Sequence, residues 1–151
     1  MREHPDHHDA ELLLKLYDLR REAKLRQARE WFLHEFHAES FADLLKKYPG
    51  GSEDNARFRM VISYWDMVAS IVNHGLIKEE FFFENTTEFW LVWEKAKPFV
   101  PDAREARKNP HVWSNLEKLA EKYETWMSNR APEALEALRA MLLTRPPQKG
   151  S

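Results

Sequence analysis

Apolar residues recur along this chain every three or four positions, which is the spacing of α-helices. From Asp9 to His37 a stripe of Leu12, Leu16, Leu19 and Ala23 passes into a second stripe of Leu25, Ala28, Phe32 and Phe36, with no Gly or Pro between them. The pattern predicts one long N-terminal helix over 9–37, ~40 Å in length at 1.5 Å per residue. A short helix over 40–48 follows, closed by Pro49-Gly50-Gly51.

The next segment is predicted as the core helix, 53–74. Ser52 suits its N-cap, Glu53 and Asp54 favour the positive end of its dipole, and Gly75 allows a left-handed stop. Phe58, Val61, Ile62, Trp65, Val68 and Val72 make one face, and Met60, Tyr64, Met67 and Ile71 a second. Only the line Arg59, Ser63, Asp66, Ser70, Asn73 is polar, so this helix belongs at the centre of a bundle. Residues 76–84 read as a turn or short helix ending in Phe81-Phe82-Phe83. Further helices are predicted over about 86–97, 111–129 and 132–143, with 101–109 as a charged connector. Residues 1–8 and 145–151 read as a flexible N-terminus and a disordered tail around a helical domain spanning 9–144. No alternating strand pattern or fixed-period repeat appears. The fold class expected is all-α: a single-domain bundle of about five to seven helices.

Composition sharpens this reading. The 151 residues are 43% hydrophobic and 32% charged, a globular balance, and include nine Phe, six Trp and four Tyr. A net charge of −2 argues against a general nucleic-acid binder. The chain has no cysteine, which removes disulfides, thiol nucleophiles and zinc–thiolate sites. No segment approaches the ~20 apolar residues of a membrane span, and the N-terminus lacks signal-peptide order, so a cytoplasmic location is the expectation.

Candidate chemistry is sparse. Glu30, His34 and His37 stand at i, i+4 and i+7, so one face of a continuous helix would offer all three to a metal such as Zn²⁺ or Fe²⁺. The spacing is not HExxH, and a solvated histidine pair is the simpler reading. His4, His7 and His8 form a polar end with weak metal-binding character at most. Arg20 to Arg29 carries five basic groups and one acid, a possible phosphate-facing patch, although Glu22–Arg26 has helix-supporting spacing and a solvated face explains it as well. Asp66, on an otherwise apolar helix, either faces water or needs a partner; beside Trp65 and Trp93 it outlines a candidate pocket. The aromatics Phe81, Phe82, Phe83, Phe89, Trp90 and Trp93 suit core packing, but three consecutive Phe cannot share one helix face. Phosphate-binding glycine loops, nucleophile elbows and calcium loops are missing from the sequence, and no cofactor is indicated.

Ser63-Tyr64-Trp65 through Asn73-His74-Gly75-Leu76-Ile77, the aromatic stretch to Trp93, Arg104, and Trp113-Ser114-Asn115-Leu116-Glu117-Lys118-Leu119 together resemble a bacterial helical family, domain of unknown function 4760, over roughly residues 53–127. The resemblance implies an all-helical fold and no activity. It singles out Trp65, Gly75, Trp93, Arg104 and Glu117, with an Arg104–Glu117 pair bridging helices as one role. Members of that family often carry an N-terminal membrane helix, which the charged 9–37 segment replaces here.

The function expected from the sequence is a non-catalytic interaction module that self-associates or binds a protein partner through helix 9–37, with Leu12, Leu16 and Leu19 gaining ~2 kcal/mol each on burial. The alternative is a small-molecule or metal-binding protein, or an enzyme, with its pocket near Trp65, Asp66 and Trp93.

Overall fold

The computed structural model describes residues 4–142. Helices make up 76% of the described residues, among which there are no strands. The order is α1 (His7–Arg20), α2 (Ala23–His34), α3 (Phe41–Lys47), α4 (Glu53–Asn73), α5 (Glu79–Asn85), α6 (Glu88–Ala96), a 3₁₀ turn (Lys97–Phe99), α7 (Val100–Ala106), α8 (Ser114–Arg130) and α9 (Ala134–Leu142). This count is above the expected five to seven. The segment read as a disordered tail, 145–151, lies outside the described residues, as do residues 1–3.

The centre is α4, packed against α2, α6 and α8, with α6 also against α8. Its ends fall where the sequence signals put them. The Ser52 hydroxyl accepts from the Asn55 N–H, and Gly75 takes φ +78° as the chain leaves the helix. Two aromatic clusters flank α4. Phe32, Phe36 and Phe58 stack with centroids 4.6 and 5.3 Å apart, edge-on to Phe99. On the other side, Phe82, Phe83, Phe89, Tyr123 and Trp126 interlock. Of the three consecutive Phe, Phe82 and Phe83 are buried and Phe81 is only partly covered.

The single helix over 9–37 is corrected. It breaks at Arg21-Glu22, where Glu22 takes ψ 138° and its carboxylate caps α2 through the Leu25 N–H. The two apolar stripes lie on different faces, and the corner lets each find its own surface. Leu25, Ala28 and Phe32 bury against α4, while α1 is held to α4 and to the entrance of α5 by hydrogen bonds, with Leu16 buried and Leu12 and Leu13 partly so. The helix also begins earlier than Asp9, inside the segment read as flexible. Asp6 accepts from the N–H groups of His8 and Asp9, and Asp9 accepts in return from the Asp6 N–H, a reciprocal capping box.

The charged connector over 101–109 is largely helical, because Pro98 and Pro101 sit in the opening turns of the 3₁₀ segment and α7 instead of ending the chain's helical path. The helix predicted from 111 starts at Ser114, after Trp113 at φ +56°.

Candidate functional site

Helix α1 lies as a strap across the body, tied at three levels. Near its N-terminus the fully buried Asp9 carboxylate accepts from the Lys78 N–H at 2.5 Å, at the entrance to α5. Further along, the Tyr64 hydroxyl of α4 donates to the Leu16 carbonyl at 2.5 Å. At the C-terminal end Arg29 donates to the Arg20 carbonyl at 3.0 Å. Beneath the strap is a partly open cavity of about 260 Å³. Its body is apolar: Leu13, Leu14, Leu16, Tyr17, Val68 and Phe82. Its polar lining is Arg20, Tyr64, Trp65, Asn85 and Thr86.

Arg29 and Glu88 form the foundation of the Trp65 end. Arg29 Nε and Nη2 donate to the two Glu88 carboxylate oxygens at 2.7 and 2.8 Å, and Trp65 Nε1 donates to the same carboxylate at 3.0 Å. Both charged side chains are largely buried, at 17% and 13% exposure. The carboxylate beside it holds the Arg29 guanidinium above its usual range. Burial pushes the Tyr64 phenol up to about 12, so it remains a neutral donor to Leu16. The sequence reading did not single out Glu88; its partner is 59 positions away.

The residues predicted as one pocket are not brought together. Trp65 lines the cavity beneath α1, whereas Trp93 borders a separate, similarly open pocket of about 300 Å³ with Lys97, Arg104, Glu117, Glu121 and Glu124. Asp66 lines neither. Successive residues of a helix diverge by about 100°, so the side chain after Trp65 turns toward α8. There Asp66 Oδ1 accepts from the Leu116 N–H at 3.0 Å, in the first turn of α8. The N-cap residue of α8, Trp113, supplies no side-chain cap, so Asp66 supplies one from another helix. Burial raises the Asp66 carboxyl, opposed by that hydrogen bond and by the Arg104 charge. The rest of the polar line divides: Asn73 donates to Asn115 of α8, while Arg59 and Ser63 face water.

Arg104 and Glu117 do meet, at 3.0 Å, and Arg104 Nε also donates to the Val112 carbonyl at 2.9 Å. The pair bridges α7 and α8 and fixes the connection between them.

The metal candidate dissolves with the long helix. Because α2 ends at His34, His37 is carried off its face and lies 3.6 Å from Glu39. Among the described residues no group of three or more His, Cys, Asp or Glu side chains is placed to hold a metal ion. The basic segment is likewise divided. Arg29 turns inward to Glu88, Arg20 lies over the rings of Tyr17 and Trp65, and Lys24 and Arg26 face solvent.

Fold and site together define a helical bundle built on a central apolar helix and crossed by a strap helix over an internal cleft. The chain belongs to the family described as Domain of unknown function (DUF4760), whose model matches residues 5–123. The match therefore takes in α1, the strap, well upstream of the span over which the resemblance was read. Among the described residues no helix is long and apolar enough to cross a membrane. No curated protein and no solved structure matches the chain.

Proposed function

We propose that this chain is a non-catalytic binding module whose recognition site is the apolar cleft beneath α1. The observation that carries the reading is the cleft itself: about 260 Å³ of apolar space, just under the ~300–1,000 Å³ typical of small-molecule sites, with a few convergent polar groups at its border. Its lining contains no Asp, Glu, His, Lys, Cys or Ser. The polar atoms that reach it from Tyr64 and Trp65 are already committed to Leu16 and Glu88. Such a lining favours holding a ligand over transferring protons, since a general acid or base must titrate near the working pH.

The test is a titration of the full chain with decan-1-ol, a neutral apolar probe, followed by methyl chemical shifts. Saturable movement at Leu13, Leu16 and Val68, with Leu119 and Leu135 unmoved, supports the reading. Shifts that never saturate, or that spread evenly through the core, overturn it.

A second reading, docking of a protein partner or a second copy on the outer face of α1, is favoured by the exposure of Leu19, at 54%, outside the cleft. It is weaker than the long-helix reading implied, because Leu16 and much of Leu12 are already buried within the chain. A strict monomer by light scattering at high concentration would end the self-association form of it.

A further inference from the structure

We infer that the ligand of this cleft is a small amphipathic anion, an apolar chain or ring bearing one carboxylate or comparable group, with Arg20 as the residue that recognises its charge. This inference rests on the cleft being a binding site. It adds what the site selects.

Two arginines stand at the Trp65 end of the cleft. Arg29 is neutralised by a two-point contact with Glu88, so its charge is spent inside the protein. Arg20 differs. Among the described residues it has no carboxylate partner, and its guanidinium carbon lies 4.8 Å from the Tyr17 ring centroid and 5.8 Å from that of Trp65. Both rings line the cleft. A guanidinium that lies over aromatic rings with no carboxylate partner keeps N–H groups for another acceptor, and a pair of them binds a carboxylate through two parallel hydrogen bonds. Arg20 is half-buried and is itself a lining residue, so an anion meeting it leaves water only in part.

The remainder of the lining suits the other end of such a molecule. Leu13, Leu14, Leu16, Val68 and Phe82 offer hydrocarbon and no charge. A fully polar anion would strand this surface against water, and a neutral hydrocarbon would leave Arg20 unmatched. A molecule with both parts satisfies both. The cleft is open on one side, where the exposed Leu14 and Tyr17 form part of the wall, which gives the chain of the ligand a way in.

The experiment compares decanoate, below its micelle concentration, with decan-1-ol on the full chain, using the same methyl shifts, and repeats both on Arg20→Gln and Arg20→Lys. The expected result is decanoate binding about tenfold or more tighter than the alcohol in the native protein. That preference, read in each protein as the ratio of acid to alcohol affinity, is lost in Arg20→Gln and partly restored in Arg20→Lys. Equal affinity for acid and alcohol in the native protein overturns the anion inference and leaves the cleft as a binding site. Absence of saturable binding by either probe overturns both. A preference for decanoate that survives intact in a folded Arg20→Gln protein, checked by its melting curve, also overturns the inference, because the charge would then be read elsewhere.

Discussion

Replacing Glu88 with Leu tests the foundation on which the cleft stands. Its carboxylate accepts three hydrogen bonds, two from Arg29 and one from Trp65, and its side chain is only 13% exposed. Removing it leaves a largely buried guanidinium without its counter-charge and an indole N–H without an acceptor. Breaking a buried pair from one side costs about 3–5 kcal/mol. For a chain of this size that lowers Tm by roughly 2–4 °C per kcal/mol, or on the order of 10 °C. Arg29→Met should cost a similar amount, since it strands the carboxylate. The double variant Arg29→Met/Glu88→Leu strands the Trp65 N–H, worth about 1–3 kcal/mol, and loses the Arg29 bond to the Arg20 carbonyl, a cost already contained in Arg29→Met. Urea unfolding followed by helical circular dichroism should therefore give a double variant far more stable than the sum of the single losses predicts. The effect should change little with added salt, because buried pairs are weakly screened. Additivity within about 0.5 kcal/mol would show that the two groups do not act as a unit and would refute the reasoning.

Other expectations follow from single contacts. Lys95 Nζ donates to the carbonyls of Phe32, Leu33 and Phe36 at the end of α2, and burial lowers its ammonium to about 8. A base with a lowered folded-state pKa weakens the fold fully below that value and less as pH climbs toward 10.5, so the native protein should gain on Lys95→Met across that interval, on the order of 3 kcal/mol, in urea titrations at stepped pH. Asp66→Ala should cost about 1–2 kcal/mol through the lost cap on α8, and Asp66→Asn less because an acceptor remains. Since burial raises the Asp66 carboxyl above 3.8, the native chain should lose stability relative to Asp66→Asn as pH rises through the folded value. Lys108 is exposed at φ +53° just past α7, so Lys108→Gly should stabilise by roughly 0.5–1 kcal/mol, read as a higher Tm.

The parts of the fold that were legible are those set by local chemistry. Ser52 and Gly75 delimit α4 to within a residue because a hydroxyl cap and a left-handed glycine act on their immediate neighbours. The corner at Arg21-Glu22 was not legible, because both residues are tolerable in a helix and the bend is imposed by the surfaces that α1 and α2 each cover. The jump of the apolar stripe from Leu19 and Ala23 to Leu25 was the trace it left. Asp6-x-x-Asp9 was a readable helix start that went unread, its acid–acid form hiding a capping box usually recognised as Ser/Thr with Glu. At the cleft, Trp65 stands out in the sequence and the neighbours that surround it do not. Glu88 and Arg20 reach it through tertiary folding from other helices, while Asp66, adjacent in sequence, turns away to α8.

A crystal structure of the full chain grown with decanoate addresses the cleft most directly. Hydrocarbon density is expected under α1 among Leu13, Val68 and Phe82, with the carboxylate on the Arg20 guanidinium. Decanoate seated elsewhere, or α1 packed down with the space beneath it filled by protein side chains, would contradict that expectation.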